Sequence, residues 1–448
     1  GTFISDITVN SINIGRGTNS VATNTVLGDS ALDAAVTGTN NTAIGNVSAT
    51  TLTSGNSNTA VGSQSLQLAT TGDFNVAVGK DALRYFTTAN NNTAIGADAM
   101  QGASGSSTGG NNTAVGRLAA FYLTSGTSNT ALGQSALEGC TDGTNNVAIG
   151  YETGTADWGD ANVAVGYRAL KVNTASKNVA IGYQSLLSNT TGQFNNAIGY
   201  GCLDANTTGS SNTSMGHQAL GGNTTASNNS AFGFNALLSN TTGTQNIAVG
   251  AYALDANTTA NSNVAMGYNT LGANTTGDQQ TAVGTYALQA NTTGVQNSAF
   301  GSTALYSNTT ADNNTAIGFQ ALYSNTTGTR NVAVGAYALD GSSAGNYNVA
   351  LGYGSLGANT THNNVAIGYD AATANTTGGN LVAIGYQAMN ANTTGSNAIG
   401  IGYQALYTCT TGSENIAIGL QSLYSLTTAN YNVAIGYDAG EDVTTGDK

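Results

Sequence analysis

Asn314–Gly328 reads NTAIGFQALYSNTTG, and near-copies of it fill the chain. The glycine closing each A-I-G serves as a marker. Twenty-five such markers run from Gly28 to Gly436 with a mean spacing of 17 residues. Nearly every step is 17; one is 20 (Gly96 to Gly116) and three are 16, ending at Gly166, Gly182 and Gly368. A fixed short period over a whole chain is the signature of a stacked architecture. It divides the sequence into an extended or strand-forming segment at 1–23, joining or capping the stack, and a continuous repeat region at 24–448.

Each unit reads as two short strands and two turns, one coil of a parallel β-solenoid. N-V-A-I-G alternates as a strand does, so Val365 and Ile367 face one way and Ala366 the other. The residue before the marker is apolar in all 25 units. It is expected to form the stacked core: Ile149, Ile181, Ile198, Phe232, Val249, Phe300, Ile317, Val334, Ile367, Ile384, Ile418 and Ile435. A second column, four residues after the marker, is mostly Leu (Leu237, Leu254, Leu271, Leu288, Leu305, Leu322) and lapses at Ala49, Ala120, Gly154, Ala372 and Gly440. N-T-T-G reads as a turn. The Asn opening each unit (Asn229, Asn246, Asn263, Asn297, Asn314, Asn331) should build an amide ladder between coils, with faults at Gln280, Leu381 and Ala398. Helix is disfavoured by the Gly, Asn and β-branched content and by the lack of a 3.6-residue apolar period.

If Ile and Val fill the coil, the Ala face (Ala248, Ala316, Ala333, Ala366) is left for a second chain, where a small residue allows close backbone approach. A tyrosine column just after the marker (Tyr151, Tyr167, Tyr183, Tyr200, Tyr268, Tyr353, Tyr369, Tyr386, Tyr403, Tyr437) would cover that seam or shield the edge of a monomer. The expected fold is thus an all-β parallel solenoid (β-roll) of about 25 coils, assembled as a homotrimeric rod.

The 448 residues include 9 Lys+Arg and 22 Asp+Glu, for a net charge of −13, with 61 Gly and no Pro. Nine cations cannot line a phosphate-binding groove, which excludes nucleic acid and disfavours anionic membranes. No run of about 18 apolar residues suggests membrane insertion, and Gly1–Ile4 lacks the basic start of a signal peptide. Pro would delete an inter-coil hydrogen bond wherever it entered. Beyond Lys448, the phase set by Gly436 anticipates further repeats or a non-repetitive domain.

The unit N-[TV]-A-[IV]-G resembles the head repeats of trimeric autotransporter adhesins, which wind as left-handed parallel β-rolls in a trimer, though with a shorter period. The opening ITVNSINIGRGTNSVATNTVLGDSAL (Ile7–Leu32), followed by tandem units such as Asn314–Gly328, is similar to the repetitive shafts of bacteriophage tail fibres. That resemblance implies a virion or cell-surface location, a homotrimer, and a glycan or protein receptor engaged at a tip. It also implies a self-cleaving C-terminal chaperone, to which nothing in the sequence corresponds. Two rivals are a self-polymerising extracellular filament and an ice-binding solenoid. Adjacent threonines of N-T-T are expected on opposite faces, which counts against ice binding.

Candidate chemistry is sparse: no catalytic residue, cofactor or metal site is assigned. His217 falls in the tyrosine column, and His362 lies several coils away. Asp81 and Asp98 sit at the same phase of successive coils, a spacing of carboxylates that suits either a glycosidase pair or two solvated side chains. The least regular stretch, Cys140–Asn162, holds the sole Trp158 with Asp142, Glu152, Asp157 and Asp160. Trp158 either fills the void left by Gly154 or stands exposed among carboxylates to meet a sugar or Ca²⁺. Gln101–Asn111 takes up the long step as a looped-out turn. Three scattered cysteines (Cys140, Cys202, Cys409) suit neither a disulfide framework nor zinc, and Cys140 and Cys409 are expected to pair only with their own copies in other chains. The N-x-T sequons, as at Asn240 and Asn325, recur at fixed phase and read as turn chemistry.

Overall fold

The computed structural model describes residues 7–10, 12–104 and 107–446. Parts of the 1–23 segment, of the 101–111 loop and of the C-terminal end therefore lie outside the described residues. The chain is an all-β parallel solenoid of about 24 turns at the 17-residue spacing, with no helix among the described residues. It forms two compact units, Gly1–Ala226 and Ser227–Lys448.

In the first unit, β1 (Ile7–Val9) and β2 (Ile12–Gly15) form an antiparallel hairpin, and β2 pairs antiparallel with β3 (Thr25–Gly28). This hairpin covers one edge of the stack, where an open strand would template association. From β3 onward the strands are parallel and in register, one per coil, starting with Val26 opposite Ala43 and continuing to β14 (Thr213–Met215). The second unit repeats the arrangement from β15 (Ser230–Phe232) to β27 (Val433–Ile435), stacking Ala248 on Ala265 on Ala282.

From β4 (Thr42–Ile44) onward each described coil contains one three-residue strand, not two. Positions are numbered here from the marker glycine. Opposite the strand, the residues at +2 and +4 are left-handed, as at Tyr252 (φ 59°) and Leu254 (φ 53°), and Ser262 at +12 is as well (φ 59°). The chain therefore turns at these points, and no second strand forms in the described coils. A left-handed Leu costs about 1–2 kcal/mol, which the burial of its side chain, worth about 1.5–3 kcal/mol, offsets. Inter-coil hydrogen bonds nonetheless run all around the coil. Ile247 N donates to Asn263 O (2.8 Å), Leu254 N to Thr270 O (3.0 Å) and Thr258 N to Thr275 O (3.1 Å), while Gly250 N and Ser262 N donate to the preceding coil. The marker must be glycine: Gly250 has φ 134°, and a Cβ there would lie 2.3 Å from Gly267 O.

The core differs from the sequence expectation. Six positions per coil point inward, exemplified by Ala248, Ala253, Leu254, Asn257, Ala260 and Asn263, all at most 1% exposed. The Ala column, expected at a chain interface, is thus the interior of the chain's own coil. Ile149, Ile198, Phe232, Val249, Val334, Ile367, Ile384 and Ile418 are only half-buried, and Ile181, Phe300, Ile317 and Ile435 are exposed. Seventeen residues enclose a lumen already filled by one Leu, small residues and two amides. A branched side chain at the strand centre would overpack it, at about 1–3 kcal/mol per insertion.

The expected Asn ladder is present. Asn246 donates its backbone N–H (3.0 Å) and side-chain amide (3.2 Å) to Asn229 Oδ1, and Asn263, Asn314 and Asn331 likewise donate N–H to the Asn one coil before. Gln280 is no fault in it: its N–H donates to Asn263 Oδ1 (2.8 Å), and its Oε1 accepts from Asn297 N (3.1 Å). Leu381 is one, since it takes the bond from Asn364 Oδ1 (3.0 Å) but offers no side-chain acceptor onward.

Candidate functional site

The irregular Cys140–Asn162 stretch is where the sequence concentrates unusual side chains, and the structure disperses them. Trp158 is buried against Gly154, where a Cβ would meet the indole at 2.4 Å, and its Nε1 donates to Leu170 O (3.2 Å). The indole replaces the missing Leu of that coil, so Trp158 is a core plug and does not stand exposed to a sugar. Asp157 accepts from Thr141 N (2.8 Å) and Oγ1 (3.0 Å), and Asp160 from Thr144 N (2.8 Å) and Oγ1 (2.9 Å). Each carboxylate thus caps a separate turn of the preceding coil. Glu152 is paired with Lys171 Nζ (2.6 Å) and Arg168 Nε (2.8 Å), and the Lys171 hydrogen bond leads in holding its carboxyl down at about 2. Asp142 is exposed. Among the described residues no three His, Cys, Asp or Glu side chains gather as a metal site.

The other candidates resolve similarly. His217 stacks on Tyr200 (5.1 Å, 3° between planes) as a member of the aromatic column. His362 Nδ1 accepts from Asn346 N (2.9 Å). Asp81 is buried and paired with Arg84 (3.2 Å) and Lys80 (3.3 Å), while Asp98 is half-buried. All three cysteines point inward. Burial pushes the Cys140 thiol up to about 12 and raises those of Cys202 and Cys409. Interchain disulfides through buried, undissociated thiols are not available to the folded coil. The sequon asparagines Asn240 and Asn325 are fully buried, out of reach of a glycosyl group in the folded state.

Sequence reasoning missed a second amide ladder. The Asn of N-T-T does not turn the chain; it points inward at +7 and stacks on its equivalents. Asn206 donates to Asn189 Oδ1 (2.7 Å), Asn291 to Asn274 Oδ1 (2.8 Å) and Asn308 to Asn291 Oδ1 (2.8 Å). In the 17-residue coils each of these amides also reaches a carbonyl three residues on in its own coil, as Asn240 does to Gly243 O (2.9 Å). Constant phase, the argument that identified the first ladder, was the available signal. The two threonines that follow lie on the outside of one turn, not on opposite faces. Thr241 and Thr242 are both exposed, between inward Asn240 and Gly243. The first donates its hydroxyl to the next coil, Thr241 Oγ1 to Thr258 O (3.1 Å).

The surface left outside carries the distinctive chemistry. On the strands the residues flanking the inward small residue face out, giving an apolar band that includes Leu132, Ile181 and Met215 in the first unit and Met266, Phe300, Ile317 and Leu351 in the second. Beside it runs the tyrosine column. In the first unit Tyr151, Tyr167, Tyr183 and Tyr200 stack face to face at 5.6, 5.1 and 5.0 Å with planes within 10°. In the second, Tyr353, Tyr369, Tyr386 and Tyr403 do so at 5.3, 5.3 and 5.2 Å. No protein-family model and no curated protein matches this chain.

Proposed function

We propose that the chain is a non-enzymatic structural shaft of a bacteriophage tail fibre or related adhesin, holding a receptor-binding tip away from a virion or cell. The observation that carries the reading is the use of side chains. Inward positions stack coil upon coil, ionisable groups are scattered as turn caps and ion pairs, and the repeated outward feature is an apolar band. In this reading the chain works as a homo-oligomer, a trimer by resemblance. Since Ala is enclosed by its own coil, the seam between chains runs along the outward Ile/Val band, and the tyrosine column beside it stays open to solvent.

Sedimentation velocity tests it. The wild-type chain should sediment as an oligomer, and Ile317→Asp with Val334→Asp and Leu351→Asp should yield monomers that keep their β-sheet signal. A monomeric wild type overturns the seam. Antibody raised to the chain should label fibres on virions, and the soluble chain should leave adsorption to the host unimpeded. Blocked adsorption would make it the receptor-binding part instead.

One observation favours a second reading. With both threonines of N-T-T on the outside, paired Thr columns exist at coil spacing, the geometric premise of an ice-binding face. Absence of thermal hysteresis in a solution of the chain removes that reading.

A further inference from the structure

The face-to-face tyrosines are the least ordinary feature of the surface. A stack at 5.0–5.6 Å shows ring edges and hydroxyls to solvent while each ring face is covered by the next. A sugar ring entering between two faces needs about 3.5–4 Å on either side, so the stack is closed to it, and aromatic–sugar contact is not its use. What the arrangement does offer is a row of identical phenols, each within one ring spacing of the next, on exposed side chains free to swing about two torsions.

We propose that these columns are sites of oxidative tyrosine–tyrosine cross-linking, which staples consecutive coils of one chain by dityrosine bonds. The oxidant is hydrogen peroxide acting through a haem peroxidase. Two neighbouring phenols each give up one electron and one proton to become phenoxyl radicals. Their ortho carbons join in a C–C bond, the two ring protons move to oxygen to restore both phenols, and the peroxide is reduced to two waters. The competing reductants of the chain are out of the way. Trp158 is buried with its N–H engaged, and the three cysteines are buried as thiols. The exposed thioethers of Met215 and Met266 take up an oxygen atom rather than lose a single electron. A radical formed anywhere on the stack has an identical acceptor one ring away, so radicals meet within the column. Parallel coils hold the backbones of neighbours about 4.8 Å apart, close enough for the side chains to couple.

The test is to treat the full chain with a haem peroxidase and limiting hydrogen peroxide, then map the dityrosine-linked peptides by mass spectrometry. Links should join stack neighbours, Tyr167 to Tyr183, Tyr183 to Tyr200, Tyr369 to Tyr386 and Tyr386 to Tyr403, within chains that still run as monomers under denaturing conditions. Tyr431 and Tyr437 are the control. They are 63% and 74% exposed, more than any stacked tyrosine, yet no ring stacks on them among the described residues, and they should couple least. Tyr183→Phe keeps the ring in the stack but removes its phenol, and should abolish both Tyr183 links while leaving Tyr151 to Tyr167 intact. Cross-linking that ranks by exposure, with Tyr431 and Tyr437 leading, overturns the proposal. So do links found only between chains, or peroxide consumption without dityrosine.

Discussion

Two stretches of coil fill the same lumen with opposite chemistry. Between Gly45 and Gly150 the +7 place is apolar in five of six coils (Leu52, Ala69, Phe86, Leu123 and Cys140, all buried), and in the long coil buried Ser107 takes it, paired with Phe86. From Asn240 to Asn325 the same position is an unbroken run of Asn, equally buried. The first stretch compensates by volume: where Leu52 and Leu123 enter at +7, the +4 Leu shrinks to Ala49 and Ala120. The second compensates by hydrogen bonds, each amide bonded across coils and within its own. One backbone thus accepts either a mainly oily column or a polar one; a buried amide without partners costs more than either.

What both stretches share carries the largest expected effect. Ala265→Asp places a carboxylate between Ala248 and Ala282 and should lower stability by at least about 3 kcal/mol, whereas outward Ile317→Asp should change the dissociated chain by less than about 1 kcal/mol. Denaturant melts of dilute protein compare the two, and equal losses would reverse the assignment of faces. Next comes transplantation. Leu123→Asn loses apolar burial and strands an amide in the oily column, for about 3–5 kcal/mol. Asn291→Leu removes the acceptor of Asn308 and the donor to Asn274, for about 1–3 kcal/mol. If Leu123→Asn were the milder change, the two columns would be interchangeable side chain by side chain.

The smallest effects are in pH. Asp255 and Asp340, at +5 in coils of the second unit, have carboxyls raised by burial. A raised folded value means that the protonated form is favoured by folding. Its contribution is fully present below the ordinary Asp range and lost as pH rises through the raised value. Asp255→Asn should therefore stabilise slightly at neutral pH and lose that advantage in acid. Glu152 is the reverse. Held at about 2, it contributes above the ordinary Glu range and loses that contribution as pH falls toward 2, so Glu152→Gln should matter at pH 7 and little at pH 2. Melting midpoints across pH check both signs.

The period, the parallel stack, the Leu column and the first Asn ladder were legible because each is a statement about phase, and phase is written directly in the sequence. The direction of the strand was not. Alternation says that Ala366 and Ile367 face apart, but both are apolar, and hydrophobicity alone puts the larger one inside. The width of the lumen decides, and that width is set by left-handed residues such as Leu254, whose conformation no propensity rule suggests. The same blind spot turned the +7 Asn into a turn residue. At Trp158 the sequence posed the correct alternatives, and the void at Gly154 chose between them.

The departures from the 17-residue step all fall on one arc, between the Leu turn at +4 and the ladder Asn at +13. In the three 16-residue coils Gly159, Ala175 and Thr361 replace the +10 residue and still accept from Asn146 (2.9 Å), Asn162 (2.9 Å) and Asn348 (2.8 Å). In the 20-residue step Gly102 keeps the +6 bond to the next coil, to Phe121 O (2.9 Å), Ser107 pairs with Phe86, and Asn112 Nδ2 still reaches Asn92 Oδ1 (3.2 Å), so the step lengthens before the +7 place. Strand, marker and Leu turn keep their length throughout. For an engineer this arc is a docking port for cargo: an epitope or enzyme-binding tag grafted there in successive coils would be presented in single file, at a pitch dictated by the backbone rather than by a linker.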